Sequence, residues 1–262
     1  MPRYCCLGSS SSGNCHYFST ALGGILVDAG LSCTAITKGL RSSGLPFDVR
    51  AVLVTHEHID HVKGLERFVR TTGAALYCSA PTLTSLRSKN MIPPGAETHT
   101  VRANEPFELL GVKISPFELS HDCASGLGYR LDYPDTSAAI LTDTGFVTEG
   151  AKRIVRGVRH AVVEANYDPE MLRLGPYPPS LQRRIKSKLG HLSNPDCAEL
   201  CAWLYETGTA HFRLAHLSLN NNEPALALAA VSAALGELGA VDGRDYTLAA
   251  LPDRPAGSYE LF

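Results

Sequence analysis

Three imidazoles and two carboxylates fall within six residues, His56-Glu57-His58-Ile59-Asp60-His61, and the segments on either side narrow what they can belong to. Before them, Ala51-Val52-Leu53-Val54 is short, apolar and rich in β-branched side chains, the pattern of a buried strand; after them, residues 61–71 have helical periodicity. Such a chain must end a strand, crowd five polar groups there and leave by a helix. Crowding them costs desolvation and charge repulsion unless a cation offsets both. Neutral imidazole nitrogen and carboxylate oxygen are the donors that Zn(II), Mn(II) and Fe(II) accept. A lone histidine after a strand reads as an incidental loop residue; this density reads as a metal site.

Two more apolar runs end in the same way, residues 24–27 before Asp28 and residues 138–141 before Thr142-Asp143. Further strand patterns lie at 75–78, 112–114, 128–131, 160–164 and 211–215. Helical patterns lie at 33–42, 81–89, 149–156 and 223–238. Another helix starts near Asn194, read as its N-cap, with Pro195 in the first turn, Cys197, Leu200, Cys201 and Leu204 on its apolar face, and Gly208 closing it. Alternation of this kind predicts an α/β chain. No repeat, low-complexity linker or composition break divides it, so one domain over 1–262 is the economical reading.

At 44% hydrophobic and 19% charged the composition is that of an ordinary globular protein. No stretch approaches the roughly 18 uncharged apolar residues of a membrane span, and the first residues lack an apolar leader pattern. The eight cysteines sit mostly in apolar or strand-like runs, which suits buried, reduced thiols. A cytoplasmic protein without membrane attachment is expected.

His56-x-His58-x-Asp60-His61 resembles the signature of the metallo-β-lactamase-fold hydrolases, and further motifs of that superfamily find matches in chain order. Asp28 matches the first motif, His121 in Leu119-Ser120-His121-Asp122 the single downstream histidine, Asp143 in Leu141-Thr142-Asp143-Thr144-Gly145 the bridging carboxylate, and His216 in Leu214-Ala215-His216-Leu217-Ser218 the last histidine. The resemblance implies a four-layer αββα sandwich, with the metals at one edge of two mixed sheets. It implies two divalent metal ions (Zn, Mn or Fe), one on His56, His58 and His121, the other on Asp60, His61 and His216, with Asp143 shared and Asp28 orienting the histidine loop.

The opening Leu7-Gly8-Ser9-Ser10-Ser11-Ser12-Gly13-Asn14-Cys15, the segment Glu164-Ala165-Asn166-Tyr167-Asp168, the stretch from Met171 to Pro178, and Gly190-His191-Leu192-Ser193-Asn194 are similar to the YycJ/WalJ type of this fold. Tyr167 departs from the pattern, standing where relatives often have His. Members of this type are regarded as cytoplasmic DNA exonucleases acting 5′ to 3′. The resemblance therefore implies a phosphodiesterase in which a metal-bridging hydroxide makes an in-line attack. Asp60 would ligate one metal and help orient that nucleophile. His191 would serve the scissile phosphate or protonate the leaving oxygen, with Glu164 holding its tautomer; read without the family, His191 is equally a packing residue before a helix.

Substrate contacts are expected from Ser9, Ser10, Ser11 and Asn14, although Gly/Ser clusters are usually plain turns. They are also expected from Ser193 and Asn194 beside His191. Residues 173–188 carry Arg173, Arg183, Arg184, Lys186 and Lys188 without an acid, and Tyr177 lies among them. Cations for phosphates and a ring for stacking suit a nucleic acid, which the resemblance implies is DNA; a solvated helix around Leu181 and Ile185 accounts for the segment equally well. His99 and His160 read as surface or core residues, while His16 and His211 are undecided. The alternative activity is small-molecule ester or thioester hydrolysis of the glyoxalase type, for which the basic segment and His191 would be idle. A catalytically silent scaffold would be expected to lack ligands, and all seven are present.

Overall fold

The computed structural model describes residues 2–254 and 258–261, so Met1, residues 255–257 and Phe262, which the reading of 1–262 as one domain includes, lie outside the described residues. The chain forms two compact units: one made of the described residues of Met1–Pro116, Cys123–Leu127 and Pro252–Phe262, the other of Phe117–Asp122 and Gly128–Leu251.

The first unit holds β1 (Arg3–Gly8), β2 (Cys15–Thr20), β3 (Gly23–Val27), α1 (Cys33–Ser42), β4 (Val49–Leu53), α2 (Ile59–Val62), α3 (Leu65–Thr72), β5 (Ala75–Cys78), α4 (Ala80–Ser88) and β6 (Thr98–Thr100). β1, β2 and β3 are antiparallel neighbours, and β3 to β6 run parallel. Parallel neighbours need a crossover, and α1, the α2–α3 pair and α4 supply it in turn. Alternate strand residues, Cys5 and Leu7, Cys15 and Tyr17, Val52 and Val54, Leu76 and Cys78, share one core with Ile36 and Leu40 of α1, Leu65 and Phe68 of α3, and Leu83 and Leu86 of α4.

A second sheet holds β7 (Phe107–Leu109), β8 (Val112–Glu118), β9 (Leu127–Asp132), β10 (Ser137–Leu141), β11 (His160–Glu164), β12 (His211–Ala215) and β13 (Thr247–Ala250), in the order β13-β12-β11-β10-β9-β8-β7. It repeats the mixed design, with β10 to β13 parallel and β9 antiparallel to β10. Its helices are α5 (Glu149–Val155), α6 (Pro169–Leu174), α7 (Pro179–Ile185), α8 (Asn194–Glu206) and α9 (Pro224–Glu237). Ala139, Leu141, Val163, Phe212 and Leu214 of the strands pack with Val155 of α5, Cys197, Cys201 and Leu204 of α8, and Val231 and Leu235 of α9. β14 (Glu260–Leu261) pairs antiparallel with β1 and completes the first sheet as β14-β1-β2-β3-β4-β5-β6.

The expected helix over 61–71 is two helices. Gly64 between them lies so close to the Leu31 carbonyl that a Cβ would come within 1.9 Å of its oxygen, so the chain turns there on a residue without a side chain. Asn194 is the first residue of α8 rather than its cap: Ser193 Oγ accepts from Asp196 N at 3.2 Å, and Asp196 Oδ2 accepts from Ser193 N at 3.3 Å, a reciprocal capping box that favours serine three residues before an acid. The strand expected at 112–114 continues to Glu118, and β1, β2, β6, β7, β13, β14 and α6 were not anticipated. No helix among the described residues is long and apolar enough to cross a membrane.

Candidate functional site

In parallel α/β sheets, ligands gather beyond the carboxyl ends of the strands. Here β3 is followed directly by Asp28, β4 by Val54-Thr55-His56, β10 by Thr142-Asp143, and β12 by His216, while Glu164 is the last residue of β11.

In the first unit, Asp28 sits at φ +62°, a left-handed conformation that Asp tolerates better than most residues. Its N–H donates to Leu53 O at 2.9 Å, which sets the carboxylate against the next loop. Oδ1 accepts from Thr55 N at 2.8 Å; Oδ2 accepts from Thr55 Oγ1 at 2.8 Å and from His61 Nδ1 at 2.7 Å. Because the Thr55 hydroxyl spends its proton on Asp28, its oxygen accepts from His56 Nδ1, 3.0 Å away. Both rings thus carry their proton on Nδ1 and keep the lone pair on Nε2, the ligating form. Burial pushes the Asp28 carboxyl up, opposed by the His61 charge and hydrogen bonds from His61 and Thr55.

The His56 ring lies 4.2 Å from His61 and 4.6 Å from half-buried His58, centroid to centroid. Asp60 Oδ2 is 3.5 Å from His61 Nε2. Asn14 is buried against this loop, its N–H donating to Asp60 O at 2.7 Å and its Nδ2 lying 3.0 Å from His61 Nε2. Ser9 and Ser10 are also buried, and of the four expected contacts in this loop only Ser11 is exposed. Glu57 turns away from the histidines: its carboxylate accepts from Ala124 N at 2.8 Å and Thr82 Oγ1 at 3.4 Å.

In the second unit, the register Leu141 to Val163 to Leu214 brings three strand ends level. Beyond them Asp143 and His216 again adopt left-handed backbone, φ +61° and +54°. Glu164 is fully buried: Oε1 accepts from His191 Nδ1 at 2.7 Å and His216 Nδ1 at 3.0 Å, and Oε2 accepts from Thr144 N at 2.9 Å. Burial pushes this carboxyl up, but the His191 charge and the hydrogen bonds from His191 and His216 outweigh it and hold the group below its ordinary value. Asp143 Oδ1 is 3.1 Å from His216 Nδ1 and 3.9 Å from His121 Nε2. His121 Nδ1 donates to Gly190 O at 3.0 Å, and burial lowers its pKa against the pull of Asp143. Ligand atoms of Asp143, Glu164, His191 and His216 all lie within 4.8 Å of one another.

One arrangement recurs at His56, His61, His121 and His216: Nδ1 is engaged by an oxygen, which orients the ring and makes Nε2 its candidate ligand atom. Buried carboxylates beside them supply negative charge that a cation would offset. The donor set of each unit fits a divalent metal ion. Thr55, the Gly190 carbonyl and Asn166, whose Nδ2 donates to His216 O at 2.9 Å, were not singled out by sequence; only Thr55, directly before His56, carried a positional hint.

Of the expected substrate contacts, Ser193 is engaged in capping α8. Buried Asn194 exchanges side-chain hydrogen bonds with Asn222 at 2.9 and 2.8 Å. Tyr177 packs against a cluster of Tyr167, Leu172 and Ile185, and its hydroxyl accepts from Asn220 Nδ2 at 3.0 Å. Burial pushes the Tyr167 hydroxyl up to about 12. Arg173 pairs with Glu170 and Arg184 with Asp122, leaving Arg183 exposed on α7 without an ion pair among the described residues. The remaining histidines sit apart: His16 on Tyr4, His99 stacked on Tyr77, and His160 stacked on His211.

A family model described as "Beta-lactamase superfamily domain" matches residues 24–217. Exodeoxyribonuclease YycJ of Bacillus anthracis is 37% identical over 234 residues, covering 89% of each chain. Exodeoxyribonuclease WalJ of Streptococcus pneumoniae is 37% identical over 228 residues, covering 86% of this chain and 85% of that one. Among solved structures, the metallo-beta-lactamase fold protein YhfI from Bacillus subtilis matches with a TM-score of 0.71 at 12% identity over 97% of each chain, a likeness of fold.

Proposed function

The chain belongs to the beta-lactamase superfamily of metal-dependent hydrolases, and from that premise we propose that it is a DNA exonuclease that releases nucleotides from 5′ ends. The observation that carries this reading is the likeness to exodeoxyribonucleases over most of both chains, in a sequence that keeps every ligand position. The family model crosses both units, which supports treating 1–262 as one hydrolase domain. Eight free thiols favour the reducing cytoplasm as its place of action.

His56, His58 and His121 would hold one divalent ion of the Zn, Mn or Fe class, Asp60, His61 and His216 a second, with Asp143 common to both. When bound, two such ions supply positive charge that stabilises the phosphorane-like transition state and makes water a better nucleophile. Asp28 keeps His61 in its ligating tautomer through Nδ1, and Glu164 does the same for His216. Glu164 also holds the His191 ring through Nδ1. Protonated His191 can then give its Nε2 proton to the 3′-oxygen that leaves when the P–O bond breaks. Exposed Arg183 and Ser11 are the proposed first contacts for the strand.

The test is nuclease activity of metal-stripped protein with Mn(II) or Zn(II) restored, on end-labelled single- and double-stranded DNA bearing 5′-phosphate or 5′-hydroxyl, beside His58→Ala. Metal-dependent release of mononucleotides from 5′ ends, lost in the variant, is the expected result. Absence of cleavage with either metal, together with hydrolysis of a thioester or lactone, would overturn the reading in favour of a glyoxalase-like hydrolase.

A further inference from the structure

Within the second unit, Phe146, Val147, Lys152, Leu192, Glu199 and Trp203 line a cavity of about 260 Å³ that the chemistry above does not use. We propose that it is a nucleobase pocket, holding the base of the nucleotide at the strand end; the proposal rests on the exonuclease reading and extends it from phosphate to base.

Its position comes first. Gly145 on its wall is two residues past Asp143, and Leu192 directly follows His191, so the cavity adjoins the loops that carry a ligand carboxylate and the acid. Two residues of chain span no more than roughly 7 Å, about the separation of a nucleotide's phosphate from its base.

The walls supply what a base needs. Phe146 is 41% exposed, two residues beyond a buried stretch that runs from β10 to Thr144, and Trp203, the chain's one tryptophan, is half-buried on α8. Every base has a π-face, so rings of this kind bind without regard to sequence. Lysines crown both: Lys188 Nζ lies 5.7 Å from the Phe146 centroid and Lys152 Nζ 5.8 Å from that of Trp203. An aromatic slot rimmed by cations suits a flat ring tethered to phosphate, and its volume admits one such ring rather than a helix or a peptide. Glu199, exposed and without an ion pair among the described residues, offers an acceptor for an exocyclic amine, which adenine, cytosine and guanine possess and thymine lacks. Asp196, also on the wall, is committed to the α8 cap.

Because Trp203 is the only tryptophan, its emission reports on the pocket directly. The full chain loaded with Zn(II) is titrated with the four deoxynucleoside 5′-monophosphates and with deoxyribose 5-phosphate. We expect a saturable emission change with the purine nucleotides, a weaker one with dTMP and none with the sugar phosphate. Phe146→Ala should weaken purine binding at least tenfold, and Glu199→Gln should weaken dAMP, dCMP and dGMP while sparing dTMP. No response to any nucleotide, an equal response to deoxyribose 5-phosphate, or indifference to Phe146→Ala would overturn the pocket. Product binding is read without turnover: a nucleotide response in a protein that fails to cut DNA would sink the exonuclease reading alone, and an active nuclease with no base-dependent response would sink the pocket alone.

Discussion

A carboxylate on the far side of a histidine decides which nitrogen that histidine offers. Asp28 has no route to a metal of its own, yet it fixes the His61 proton on Nδ1. Asn in its place would turn an amide N–H toward that nitrogen, favour the other tautomer and leave Nε2 protonated. Asp28→Asn is therefore expected to weaken metal binding about 10- to 100-fold, measured by competition with a chelator; unchanged affinity would show that the tautomer is not limiting. His160 makes a different prediction, far from these ligands. Burial, with His211, Arg213 and Arg159 beside it, pushes its pKa down to about 3 from 6.5. Between those values the unfolded chain binds a proton that the folded chain refuses, so this contribution to stability is complete above about pH 6.5 and is lost as the pH falls toward 3. His160→Gln should show a smaller drop in urea midpoint between about pH 7.5 and pH 5 than the parent chain, and an equal drop would exonerate His160. At this scale the sequence displayed the ligand side chains and, through the resemblance, Asp28 behind the histidine loop and Glu164 behind His191, but not the other orienting contacts: Gly190 acts through a backbone carbonyl, and Glu164 also reaches His216 across 52 positions, neither of which leaves a local pattern.

Among the elements, those with apolar runs were legible, and β11 and β12 fall at the expected 160–164 and 211–215, the second through Phe212 and Leu214 despite the histidine and arginine between and beside them. β1 and β2 were not, because Cys5-Cys6 and Cys15-His16 flank a Ser/Gly loop and look like part of it; Leu7, Tyr17 and Phe18 bury both strands nonetheless. α8 was found but started one residue late, since Asn is as good a cap as Ser and only the acid three residues on separates them. That cap lies two residues beyond His191. Ser193→Ala should cost about 1 kcal/mol in chemical denaturation and lower nuclease turnover by loosening the His191 segment. A stability loss with unchanged turnover would confine the cap to holding the helix.

For the molecule as a whole, proposed ligand positions spread from His56 to His216 mean that binding metal would stabilise most of the folded chain at once. At free metal 100-fold above the dissociation constant the gain is about 2.7 kcal/mol, visible as a higher unfolding midpoint when Zn(II) is restored to stripped protein and absent in His58→Ala. Both mixed sheets follow from strands that alternate with helices, and their matching parallel halves explain why polar residues recur at strand ends. Three of those residues, Asp28, Asp143 and His216, turn through left-handed backbone, which costs ordinary L-residues roughly 1–2 kcal/mol. Glycine or asparagine would sit there more comfortably than what the chemistry demands. A lineage released from that demand would be free to take those two residues at all three places, so the retired descendants of such an enzyme would be recognisable by their turns while their helices and sheets still looked alive.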